Sequence, residues 1–176
     1  MRRPLIALLA LAALAAGAAP SEAARPRAVR NGVITVGFGA GGIEVGMKRA
    51  EVVSLLGRPF YENRNGYMQY MPDDGRGIFD VYRAGGGKGT RVRMISVVSS
   101  GRHFTLDEGI PIFEPGGLRA VKRSYGSRLR LVRTSDGELI YRIVTRAYGH
   151  VIDTDFTVTR PNLGARVMQV FVVKIS

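Results

Sequence analysis

Val52, Leu55 and Leu56 fall at i, i+3 and i+4, so they share one face of a helix, while Lys48, Arg49, Glu51 and Ser54 take the other. Just before them Ile43 and Val45 alternate as a short extended segment, and Gly46 turns the backbone. Gly57 supplies a left-handed C-terminal residue and Pro59 blocks continuation. The pattern returns weakly further on. Gly109-Ile110-x-Ile112 matches Gly42-Ile43-x-Val45, and Leu118, Val121 and Tyr125 form a second stripe that ends at Gly126. Val52 to Gly57 and Val121 to Gly126 have the same spacing, although Pro111 and Pro115 lengthen the second entry. The pattern predicts two copies of one helix-then-strands unit.

Between and after the helices the period drops to two. Residues 32–38 read as a β-branched strand. Residues 61–63 and 67–71 flank Asn65-Gly66, a strong hairpin signal. Asp73-Asp74-Gly75 turns again, residues 78–83 alternate, and a glycine-rich loop at 85–89 leads into 92–99. In the second unit 129–133 and 139–145 flank Asp136-Gly137, and 151–159 and 167–175 flank Pro161-Asn162-Leu163-Gly164. Short turns between strong strands predict antiparallel pairing. The expected fold is α+β: two tandem helix-plus-antiparallel-meander repeats in two layers, with about eight strands and small helices on one face. The expected boundaries are a leader at 1–23, a basic and glycine-rich lead-in at 24–41 with a possible strand, a first repeat at 42–103 and a second at 104–176.

The stretch Gly42-Ile43-Glu44-Val45-Gly46-Met47-Lys48-Arg49, continued through Leu55-Leu56-Gly57-Arg58-Pro59, resembles the signature helix of the β-lactamase-inhibitor-like superfamily. That group includes the small β-barrel-assembly lipoproteins of the SmpA/OmlA kind. The resemblance implies a helical segment followed by an antiparallel meander, often in tandem, and a noncatalytic module that binds other proteins through its sheet. Two departures stand out. Lys48 occupies the helix N-cap, where the family often has Ser or Thr, and leaves Glu51 as half of a capping box. The chain has no cysteine, hence neither the lipid-attachment residue of the assembly lipoproteins nor the disulfides of the secreted inhibitors.

Composition adds a compartment. Arg2 and Arg3, the apolar run 5–16 and the small-x-small tripeptide Ser21-Glu22-Ala23 have the order of a cleavable secretory leader. The apolar run is too short for a stable membrane anchor. Export without cysteine means that the fold relies on its core. The net charge of +12, lowered by one on loss of the leader, favours acidic surfaces: another protein, an anionic envelope polymer or lipid headgroups. Export argues against nucleic acid as the partner.

Candidate chemistry is sparse. Gly37, Gly39 and Gly42 spell the dinucleotide fingerprint, but Gly46 falls where the required helix should already run. The loop Gly85-Gly86-Gly87-Lys88-Gly89 lacks the Ser or Thr and the following helix of a phosphate loop. His103 and His150 have no partner at a useful spacing, and Asp153 and Asp155, on one side of a strand, are better placed as ion-pair partners of arginine than as a catalytic pair. No catalytic residue, metal ligand or cofactor is expected. What remains is the sheet. If Phe79 and Val81 face the helices, then Ile78, Asp80 and Tyr82 face outward. The candidate partner-binding residues are Tyr67, Tyr70, Tyr82, Arg91, Arg93, Tyr141 and Arg142, of the types enriched at binding hot spots. The expectation is an exported noncatalytic module that binds a protein through its sheet, with a basic polyanion binder as the alternative.

Overall fold

The computed structural model describes residues 32–72, 75–87, 89–99, 104–133 and 138–176. The expected leader and the start of the lead-in, the turn residues Asp73 and Asp74, Lys88, His103 and the Asp136-Gly137 turn lie outside them. The strands are β1 (Val33–Thr35), β2 (Gly39–Ala40), β3 (Ile43–Glu44), β4 (Tyr61–Glu62), β5 (Tyr67–Tyr70), β6 (Gly77–Arg83), β7 (Val92–Ser99), β8 (Thr105–Leu106), β9 (Ile110–Pro111), β10 (Arg130–Arg133), β11 (Leu139–Ala147), β12 (His150–Val158) and β13 (Val167–Lys174). The helices are α1 (Arg49–Leu56) and α2 (Gly117–Tyr125).

The strands form two sheets. A small one runs β3-β2-β1-β8-β9, and a large one runs β10-β11-β12-β13-β7-β6-β5-β4. All pairs of the large sheet are antiparallel, and the β13–β7 ladder joins its halves. In the small sheet β1 and β8 pair parallel.

This architecture corrects the expected α+β fold. Among the described residues the protein is mostly β, with sheets of five and eight strands, and the two short helices do not form the layer that a pair of helix-plus-meander repeats requires. The reason lies in how far each helix can run. α1 has eight residues, bounded by Lys48 and Gly57; α2 has nine, bounded by Gly116 and Gly126. Their fully covered apolar residues are Val52 and Leu56 on α1 and Leu118 and Val121 on α2. Leu55, expected on the buried face, is 52% exposed. The rest of the cover comes from the stretches around β1–β3 and β8–β9, whose Ile34, Ala40, Ile43 and Leu106 enter the same core as Phe79, Ile95, Phe156 and Val170. Phe104 stacks on Phe79 with ring centroids 5.9 Å apart, tying the small sheet to the large one.

α1 begins without a Ser or Thr cap. The Glu51 carboxylate instead accepts a hydrogen bond from the Lys48 backbone N–H. At its other end Gly57, at φ 76°, donates its N–H to the Val53 carbonyl at 2.8 Å. The approach of the small sheet to the large one depends on Gly37. Its N–H donates to Thr154 Oγ1 at 2.9 Å, its φ is +80°, and a β-carbon there would lie 2.4 Å from the Thr145 side chain.

Strand alternation sorts the large sheet cleanly. Met68, Tyr70, Phe79, Val81, Ile95, Val97, Phe156, Val170 and Val172 point into the core. Their neighbours along each strand point to the opposite, open face.

Candidate functional site

The register of the large sheet places one side chain from every strand in a single row across the open face. In order it reads Arg130, Arg142, Asp155, Phe171, Ser96, Asp80, Gln69 and Tyr61. The row beside it reads Val144, Asp153, Val173, Met94, Tyr82 and Tyr67. Among the described residues, the helices and the small sheet put their fully buried apolar side chains in the core on the other side. Even so, Ser96 is 0% exposed and Asp80 is 8% exposed. Short polar side chains here sit between taller neighbours of the same face, which shield them from solvent.

Two polar clusters occupy the ends of these rows. On β11 and β12, Arg142 Nε and Nη2 donate to the two Asp155 carboxylate oxygens at 2.6 and 2.7 Å, and Arg142 Nη1 lies 3.0 Å from Asp153 Oδ2. This is a two-pronged guanidinium contact with a second carboxylate alongside. Burial nonetheless pushes the Asp153 carboxyl above its ordinary range, against the pull of Arg142. On β5 and β6, the Tyr67 hydroxyl donates to Asp80 Oδ1 at 2.9 Å, and Gln69 Nε2 donates to the Tyr67 oxygen at 2.7 Å and to Asp80 Oδ1 at 3.3 Å. Burial raises the Asp80 pKa, and the two neutral donors only partly offset it. The Tyr67 ring of this cluster also neighbours two others, Tyr61 at 5.8 Å and Tyr82 at 5.0 Å between centroids. Between the clusters Gln169 Nε2 donates to Ser96 Oγ at 2.8 Å.

Of the residues singled out in the sequence, Tyr67, Tyr82 and Arg142 share the open face. Tyr70 does not: it is buried in the core, and its hydroxyl donates to the Gly57 carbonyl at 3.3 Å. Tyr141 lies on the core side, opposite Phe156 and packed against the core. Arg91 bridges to Lys48 and donates to the Gly46 carbonyl at 2.8 Å. Arg93 falls where the β6–β7 register shifts, and with Arg91 and Lys174 it lines a separate cleft. Asp153 and Asp155 are the ion-pair partners of Arg142, while His150 is exposed, with its Nε2 3.1 Å from Lys174 Nζ.

Sequence reasoning did not gather Gln69, Ser96, Gln169 and Phe171 into the site. Their signal was the parity of each strand, but only the ladder register shows that these parities coincide.

A second feature lies at the β10 edge. Arg128, Arg130, Arg142 and Arg146 with Val132 and Val144 line a cleft of about 380 Å³. Arg130 and Arg142 stand directly opposite one another, a pairing of like charges that is unfavourable without a neutralising group. Among the described residues, Asp153 and Asp155 pair with Arg142 and not with Arg130. Arg128 also lies over the Tyr125 ring at 5.7 Å.

Among the described residues no group of three or more His, Asp or Glu side chains is placed to hold a metal ion, and no helix is long and apolar enough to cross a membrane. With no cysteine in the sequence, there is no thiol for lipid attachment. No protein-family model, no characterised protein and no solved structure matches the chain.

Proposed function

We propose that the protein is an exported, noncatalytic interaction module that docks another protein on the open face of its eight-stranded sheet. The observation that carries this reading is the pair of continuous rows from Arg130 to Tyr61 and from Val144 to Tyr67. Their shorter polar members are already hydrogen-bonded and shielded, so a partner meets an ordered surface and little side-chain entropy is lost on contact. Tyrosine and arginine stand at its ends, as at the anchor positions of protein interfaces. The resemblance of residues 42–59 to the inhibitor-like signature supports the same reading. The basic, apolar and small-residue order of residues 1–23 supports export.

The test is capture of a partner from envelope and medium fractions at low and high salt, with the wild-type protein and with Ile78→Arg/Val144→Glu. Both changed residues are on the open face and already 40% and 47% exposed, so the fold tolerates them. A discrete protein held at high salt by the wild type and released by the double variant is the expected result. Equal capture by both proteins would contradict it.

A second reading rests on the arginine cleft at the β10 edge. Its guanidinium groups, together with the net charge of +12, suit an anionic envelope polymer or lipid headgroup. It predicts capture that vanishes as salt rises.

A further inference from the structure

Among the described residues the open face holds three shielded carboxylates, and they are not treated alike. Asp155 and Asp153 have the Arg142 guanidinium between them. Asp80, in the same row as Asp155 and equally shielded, makes no ion pair among the described residues; its Oδ1 receives only the neutral Tyr67 and Gln69 donors. The open-face positions that the ladders of β4 to β7 pair carry no basic side chain: they are Tyr61, Tyr67, Gln69, Ile78, Asp80, Tyr82, Met94, Ser96 and Val98, while Arg93, at the register shift of β7, lines the separate cleft with Arg91 and Lys174. A shielded carboxylate without a counter-ion is costly to the fold. Beside it stand the Tyr61, Tyr67 and Tyr82 rings, whose negative faces attract cations.

We infer that Tyr61, Tyr67, Tyr82 and Asp80 form a subsite for an arginine side chain presented by the docked protein. This rests on the open face being the docking surface. The guanidinium stacks flat on the tyrosine wall and turns an N–H edge toward the Asp80 oxygen that Tyr67 and Gln69 leave free. Arginine suits this better than lysine because its planar, weakly hydrated cation both stacks and donates directionally. The sheet already shows the same chemistry within one chain, where Arg142 lies against Asp155. The partner's arginine completes at the β5–β6 end what Arg142 completes at the β11–β12 end.

The chain contains seven tyrosines and no tryptophan, so the emission of the three wall tyrosines is not masked by an indole, and Tyr82→Leu identifies their share of the signal. The full chain is titrated with N-acetylarginine amide and, separately, with the neutral isostere N-acetylcitrulline amide. Saturable change with the arginine compound, at least about tenfold weaker binding of the citrulline compound, and loss of that preference in Asp80→Asn are expected, since a hydrogen bond between charged partners is stronger than one from a neutral donor. Circular dichroism and thermal melting check that the variant is folded, and Tyr82→Leu is the second variant, expected to weaken arginine binding with Asp80 intact. No saturable binding, equal binding of the two compounds, or an unchanged preference in Asp80→Asn would overturn the subsite. Partner capture separates this from the wider reading. If Asp80→Asn captures the partner as the wild type does while Ile78→Arg/Val144→Glu does not, the subsite is wrong and the docking face stands. If both variants capture it fully, the face itself is wrong.

Discussion

Arg142 reaches across the β11–β12 ladder to grip both carboxylate oxygens of Asp155, and the same guanidinium touches Asp153 one row along. Both carboxylates are shielded, so this arginine is a structural requirement as well as part of the docking face. Arg142→Met should destabilise the protein by about 3 kcal/mol or more, because it leaves two carboxylates shielded without a counter-ion. Adding Asp153→Asn and Asp155→Asn should recover most of that loss. Urea unfolding of the single and triple variants measures both effects, and an unchanged midpoint for Arg142→Met would contradict the geometry.

Asp80 should behave in the opposite sense. Its pKa is raised by burial, so the folded protein binds that proton more tightly than the unfolded chain does. Its ionised form therefore costs stability, which declines as pH rises from the ordinary carboxylate range through the raised folded value. Asp80→Asn keeps the acceptor for Tyr67 and should hold or raise the melting temperature at pH 7 while flattening that decline. A fall in melting temperature of about 3 °C or more at pH 7, equivalent to roughly 1 kcal/mol, would refute this. A residue that costs stability yet supports arginine binding is the pattern expected of a functional site.

Glu62 supplies the contrasting acid response. It receives Arg49 at 2.7 Å and Arg83 at 3.0 Å, and the Arg83 side chain is almost fully buried. The Arg49 hydrogen bond, against burial and with further help from Arg83, holds the Glu62 pKa below its ordinary value. Its contribution is present above the unfolded-state pKa and is lost as pH falls through the folded one. Glu62→Gln should cost about 3 kcal/mol at pH 7 by stranding Arg83, and should remove that part of the acid sensitivity. Because Arg83 also donates to the Gly87 carbonyl at 2.9 Å and Thr90 Oγ1 at 2.8 Å, amide exchange in the adjoining loop should rise in the same variant.

Gly37 holds the two sheets together at one point. Gly37→Ala should destabilise by about 1–3 kcal/mol, from its positive φ and from collision with Thr145. Thr145→Gly in the same chain relieves the collision but not the φ, so thermal melts of the single and double variants separate the two causes.

The large sheet was readable because its strands alternate. Phe79 and Val81 against Ile78, Asp80 and Tyr82 assign both faces of β6 from the sequence alone, and Asn65-Gly66 marks the β4–β5 hairpin. The small sheet was not readable in the same way. β2, β3, β8 and β9 have two residues each, too few to show a period, and the parallel β1–β8 pair joins segments that nothing local connects. Those segments cover the core where helices were expected. Tyr70 and Tyr141 show the same limit at the site. Residue type marks them as hot-spot candidates, but the ladder turns both away from the open face. Asp80 is the reverse case, since its importance appears only once the register sets it opposite Gln69 and within reach of the Tyr67 hydroxyl.

The most direct test of the docking face is site-specific photo-crosslinking in envelope and medium fractions. A photoreactive phenylalanine at Tyr82, on the open face, is compared with one at Arg123, exposed on α2 at the other side. A discrete covalent adduct with one protein from position 82 at high salt, and none from position 123, is expected. Adducts from position 123 alone, or the same adducts from both positions, would contradict it.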